Sequence, residues 1–215
     1  MKASKSKYAP GQLLIFPFNG NGLEALSCLD KRHELIGFVD DTKEKQGANA
    51  FGFRVFSRVV ISKNANTKIL AVPGSAASYK ERDAIIRSLN IMPERFATVI
   101  HPSANVSPLA RIGHNVLIMA GVVITANAVI GDHVCILPNT VIHHDAEIGD
   151  YTLIGSNVTV AGYTKIGRKC YIGSGSSVIN NISIGAGTLV GMATNVIRSF
   201  PADSKIIGNP AKQIK

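Results

Sequence analysis

The chain has 215 residues, 46% apolar and 17% charged, which describes one large globular domain or two smaller ones and excludes a disordered chain. No apolar run is long enough to insert in a membrane, and three widely spaced cysteines (Cys28, Cys135, Cys170) without a CxxC exclude a disulfide framework or structural zinc site and suit a reducing, cytoplasmic setting. The net charge of +9 suits anionic small molecules; its basic residues are scattered beyond Lys2, Lys5 and Lys7 and lack interleaved aromatics, so nucleic acid is not an expected partner.

In chain order, residues 1–11 read as a flexible, basic leader without a signal-type apolar core. Residues 12–96 read as a small Rossmann-like parallel α/β domain. Gln12–Phe18 is expected as a buried strand, Asn19-Gly20-Asn21-Gly22 as a turn, and Leu23–Lys31 as a helix. Glu34–Val39 is the second strand, ending at Asp40-Asp41, and Lys68–Val72 the third. Pro73-Gly74-Ser75 then leads to an amphipathic helix, Tyr79–Leu89, with apolar positions at Ala84, Ile85, Ile86 and Leu89. Ligands bind such sheets at the carboxyl ends of the strands. The candidate pocket is therefore Asn19, Gly20, Asn21 and Gly22, whose N–H groups at a helix start can hold phosphate, with Asp40 and Asp41 able to bond a ribose or base. Pro17-Phe18 stands where a dinucleotide fingerprint has its first glycine, so NAD is not expected.

Residues 97–200 carry a repeat. Stepping by six from Ile100 to Val196 gives seventeen residues, all Ile or Val, without an insertion, in a chain where those two types make up 43 of 215. Four residues after each aliphatic, from Ala104 to Thr194, stands a small or β-branched residue. Ile-Gly recurs every eighteen residues at Ile112, Ile130, Ile148, Ile166 and Ile184. The pattern predicts a triangular parallel β-helix with three six-residue rungs per coil. The aliphatics point inward, and glycine supplies the backbone angles of one corner. With no inserted loop, binding surfaces fall to flat faces, ends or neighbouring chains. Among the six histidines, Ile142-His143-His144-Asp145 puts two imidazoles just past a corner with a carboxylate beside them, a candidate general base.

The comb resembles that of the bacterial acyltransferases with left-handed β-helices. The chain as a whole is similar to the PglD/NeuD-type sugar acetyltransferases. The matching segments are Leu14–Gly22, Phe38-Val39-Asp40-Asp41, Ile100-His101-Pro102-Ser103-Ala104, Val141–Asp145, Ala161-Gly162 and Gly208-Asn209-Pro210-Ala211-Lys212. The resemblance implies a left-handed coil and a homotrimer with active sites between subunits. It implies acetyl-CoA as co-substrate, no metal, and N-acetylation of a nucleotide-linked 4-amino-4,6-dideoxy sugar for bacterial glycan biosynthesis, with UDP placed before GDP and dTDP. It makes His144 the base, Asp145 its companion where relatives often have Glu, and Gly162 the donor to the thioester oxygen. The nucleotide-sugar pocket is Asn19–Gly22 with Asp40 and Asp41. CoA would lie along Gly155, Gly173 and Gly191, its phosphates meeting Lys205, Lys212 or Arg198, with 201–215 a tail nearby. Leu153 replaces a histidine that some relatives hold near the acetyl group. Three rivals stand beside this reading: O-acetylation of sialic acid or another sugar, a zinc enzyme of the γ-carbonic anhydrase kind, and a non-catalytic trimeric scaffold.

Overall fold

A computed structural model describes residues 11–48 and 51–214; the leader lies outside them, apart from Gly11. The first part is a five-stranded sheet in the order β3-β4-β2-β1-β5, with β1 Gly11–Phe16, β2 His33–Val39, β3 Gly47–Ala48, β4 Arg54–Phe56 and β5 Lys68–Ala71. All neighbours pair parallel except the edge strand β3. Leu13, Leu14 and Ile15 are fully buried, so β1 is covered on both faces, as a central parallel strand must be.

Several local expectations change. β1 stops at Phe16, because Pro17 has no N–H to donate to the ladder. The helix expected over Leu23–Lys31 is one turn, α1 Gly20–Glu24, followed by a 3₁₀ turn, Ala25–Cys28. Strands β3 and β4 and the short helix α2 Val59–Lys63 are too short to carry a periodic signal in the sequence. The helix expected over Tyr79–Leu89 is a 3₁₀ turn continued by α3 Arg82–Arg87. It buries Arg82 and Asp83 along with Ile86 and Leu89, while Ala84 faces water.

The second part is a triangular prism. Seventeen two-residue rungs, Val99–Ile100 to Asn195–Val196, stack into three parallel sheets. Each rung pairs with the one eighteen residues on, so Ile142 lies beside Ile124 and Val160. The inward aliphatics form one continuous core. Burying each is worth roughly 1.5–3 kcal/mol. The second comb also points inward and includes hydroxyls. A buried hydroxyl without a partner costs about 1–3 kcal/mol. The fold avoids this regularly: Thr140, Thr152, Thr164 and Ser176 donate to the carbonyls of Gly155, Gly167, Ile179 and Gly191, each fifteen residues on, at 2.7–3.0 Å.

The corner glycines serve a different purpose from the one expected. Gly113, Gly131, Gly149, Gly167 and Gly185 lack a positive φ. A Cβ at any of them would come within 2.2–2.5 Å of an atom of the coil above. Close stacking therefore selects them. The left-handed backbone falls three residues after the inward aliphatic, on Asn115, Asn127, His133, Asn139, Asp145, Asn157, Tyr163 and others, where Asn and Asp are the usual occupants.

The three faces differ in the residue preceding each aliphatic. The first face shows Val99, Leu117, Cys135, Leu153 and Tyr171, and these pack against Leu13, Ile15, Phe38 and Val72 of the α/β sheet. The second shows Asn105, Val123, Val141, Thr159, Ser177 and Asn195. The third shows Arg111, Val129, Glu147, Lys165 and Ser183. The segment expected as a tail closes the top. Lys205–Ile207 continues the first face beside Leu189–Val190, and Lys212–Ile214 folds back antiparallel to it.

Candidate active site

His144 lies at the corner between the second and third faces, opposite the face covered by the α/β domain. It has room because its column, stepping by eighteen, places Ala126 below and Gly162 above. A Cβ on Gly162 would stand 2.8 Å from His144 Cε1 and 2.9 Å from Nε2, so the imidazole lies directly against that glycine. The imidazole is 53% exposed and bonds Asp145 Oδ2 through Nδ1 at 2.9 Å.

Two residues that sequence reasoning missed complete this cradle. Asn127 and Tyr163 share the column of Asp145, one coil below and one above. Asn127 Nδ2 donates to Asp145 Oδ1 at 3.2 Å, and the Tyr163 ring meets His144 edge-on at 5.2 Å. The hydrogen bond from His144 foremost, then those from Asn127 and Tyr163, hold the Asp145 carboxyl below the usual carboxylate range. An ionised carboxylate only accepts, so His144 Nδ1 carries the hydrogen and Nε2 of the neutral ring bears the lone pair. The Gly162 N–H has no acceptor among the described residues. On the third-face side a concavity of about 430 Å³ opens between Arg111, Asn127, Asp145, Glu147, Tyr163 and Lys165.

The candidate nucleotide loop is built elsewhere. Asn19 caps α1, its Oδ1 accepting from Gly22 N–H at 2.8 Å, which leaves the N–H groups of Gly20 and Asn21 without an acceptor among the described residues. Asn21 Nδ2 reaches the carbonyl of Gly74 at 3.2 Å and stitches the loop to the one after β5. The two acidic residues are not free. Asp40 is buried and accepts from Phe18 N–H, Thr42 N–H and Lys45 Nζ at 2.9–3.1 Å. Desolvation pushes its carboxyl up, but these hydrogen bonds outweigh it and hold the carboxyl low. Asp41 pairs with the Arg58 guanidinium.

The remaining candidates scatter. Gly155, Gly173 and Gly191 stand at the corner between the first and second faces, where a Cβ would meet the coil above at 2.5–2.6 Å. Lys205 and Lys212 lie at the top of the first face. Arg198 alone shares the column of His144, three coils higher. Leu153 is sealed in the core between the two parts, away from the His144 corner. Within one protomer, then, the structure brings together His144, Asp145 and Gly162, and holds Asn19–Gly22 beyond the opposite face. Among the described residues no three His, Cys, Asp or Glu side chains form a group that could hold a metal ion, and no helix is long and apolar enough to cross a membrane.

The family model "Bacterial transferase hexapeptide (six repeats)" matches residues 109–144 and 127–162. No curated protein matches the sequence. Solved structures are similar over nearly the whole chain. The acetyltransferase domain of PglB from Neisseria gonorrhoeae FA1090, in complex with acetyl coenzyme A, has a TM-score of 0.82 and 25% identity over 95% of this chain and 100% of that one. PerB from Caulobacter crescentus, in complex with CoA and GDP-perosamine, has a TM-score of 0.82 and 27% identity over 97% and 99%. WeeI from Acinetobacter baumannii AYE shares the fold, with a TM-score of 0.79 and 22% identity over 95% and 99%. With its repeat matched over residues 109–162 and its two-part architecture paralleled from end to end, the chain is an acyltransferase similar to the PglD-like sugar acetyltransferases.

Proposed function

We propose that the chain is an acetyl-CoA-dependent N-acetyltransferase acting on the 4-amino group of a nucleotide-linked 4-amino-4,6-dideoxy sugar, with UDP the first candidate nucleotide, in bacterial glycan biosynthesis. The observation that carries this reading is the His144 imidazole, oriented by an ionised Asp145 with its basic Nε2 against the Gly162 backbone. The amine attacks the thioester carbonyl as His144 Nε2 takes its proton. The Gly162 N–H receives the developing oxyanion. The C–S bond then breaks, and the proton passes to the departing thiolate. A placed base contributes roughly 10²–10⁴ in rate.

In this reading the coil is left-handed and the protein cytoplasmic. CoA lies along the second face, whose outward Thr159, Ser177 and Asn195 carry no charge. Coils stack about 4.8 Å apart, so Arg198 stands roughly 14 Å above His144. That placement favours Arg198 over Lys205 and Lys212 as the phosphate contact. Asn19–Gly22 hold the nucleotide through the open N–H groups of Gly20 and Asn21, while Asp40 anchors the loop entrance through Phe18 N–H and Asp41 is held by Arg58. Acetyl-CoA offered with UDP-, GDP- and dTDP-linked 4-amino sugars is expected to release thiol with one of them. Release only with free sialic acid or another hydroxyl acceptor would replace N- by O-acetylation, and release with none would end the proposal.

The separation of His144 from Asn19–Gly22 supports active sites shared between subunits of a homotrimer. Gly22→Ala, whose Cβ would stand 2.6 Å from the Pro17 carbonyl, should disable the loop. Co-assembly of this variant with His144→Ala, each inactive alone, is expected to restore roughly a quarter of wild-type activity through random pairing. No recovery in a verified mixed oligomer would place each site within a single protomer.

A further inference from the structure

Arg82 is the largest fully buried side chain among the described residues, and it faces no carboxylate. Its donors go to three backbone carbonyls from three segments: Pro73 in the loop after β5, His133 at 2.7 Å and Tyr151 at 3.1 Å, the last two on successive coils. A buried cation costs free energy that an apolar side chain of like size avoids, so stability alone does not account for it. What the guanidinium does, and an apolar chain cannot, is set distances between segments.

The segment it sets is the one that braces the Asn19–Gly22 loop. Gly74 has φ +110, and a Cβ there would lie 2.7 Å from Arg82 Cγ and 2.9 Å from Cδ, so the loop is moulded onto the arginine stem. The Gly74 carbonyl in turn accepts from Asn21 Nδ2. A second tie runs in parallel: Asn115 exchanges two hydrogen bonds with the backbone of Ala71 at 2.7 and 2.8 Å and meets His133 Nδ1 at 3.0 Å. The strand end and the loop beyond it are thus referenced to the prism and not only to their own sheet.

We infer that Arg82 is a positioning residue for nucleotide binding, holding the Pro73-Gly74 loop, and through it Asn21, in register with the β-helix. The inference rests on the proposed nucleotide pocket. Arg82 touches no reacting atom in this scheme; it acts through loop geometry, and small misplacements of a bound group carry large rate penalties.

Two variants of the full-length oligomer test it, Arg82→Met and Gly74→Ala, each titrated calorimetrically with UDP, GDP, dTDP and acetyl-CoA. Both are expected to weaken binding of whichever nucleoside diphosphate the wild type takes by at least about tenfold, with acetyl-CoA affinity unchanged. Wild-type nucleotide affinity in both variants, or an equal loss for nucleotide and acetyl-CoA, overturns the inference. If Arg82→Met does not fold, Gly74→Ala decides alone, since it perturbs the same contact from the loop side, at a half-buried position. A wild type that binds acetyl-CoA but none of the nucleotides removes the pocket itself, and the inference with it.

Discussion

His144→Ala is expected to lower kcat by at least about a hundredfold while the protein keeps its fold and its acetyl-CoA affinity. The side chain is half exposed at an outer corner, between Ala126 and Gly162, so its loss opens no cavity in the aliphatic core. What is lost is the lone pair on Nε2, directed by the Nδ1 bond to Asp145. His143→Ala is the control. The Nδ1 bond to Asp145 and the contact with Gly162 belong to His144 and not to its neighbour, so turnover should fall far less. Steady-state thiol release, read beside a thermal melt, checks both. Near-normal turnover in His144→Ala, or a larger loss in His143→Ala, would remove His144 as base.

The second large effect is expected at Gly162. Gly162→Ala places a methyl where His144 Cε1 and Nε2 now lie, 2.8–2.9 Å from the new carbon, and 3.1 Å from the His144 carbonyl. The backbone there has no positive φ, so the substitution carries no intrinsic strain. The imidazole must swing away from its lone-pair direction, and the methyl crowds the N–H assigned to the oxyanion. Loss of one oxyanion donor alone is worth about 10²–10³ in kcat. A fall of at least about a hundredfold is therefore expected, with KM for acetyl-CoA changed much less. The melting transition should move little, because the flexible imidazole of His144 can yield where a stacked backbone cannot. Full activity in this variant would mean that neither the base nor the oxyanion lies against Gly162.

The comb from Ile100 to Val196 was legible because an inward residue every sixth position is a property of the chain itself, and all seventeen rungs follow it. The His144-Asp145 pair was legible for the same reason, since adjacency in sequence is adjacency at a corner. Asn127 and Tyr163 stand eighteen residues either side of Asp145, so the coil period alone places them in its column. Arg82 gave no such signal. An arginine on a short amphipathic helix reads as solvated, and the three carbonyls that bury it come from residues 9, 51 and 69 positions away.

The amino-acid sequence by itself determined the stacked coil, its core and the dyad at one corner, because each depends on spacings of one, six or eighteen residues that stacking reproduces faithfully. Only the tertiary structure decided which face the α/β domain covers and where Asp40 and Asp41 spend their carboxylates. It alone showed that His144 and the Asn19–Gly22 loop lie on opposite sides of one protomer. Those facts depend on contacts between segments far apart in the chain, whose partners are chosen by packing and desolvation and not by periodicity.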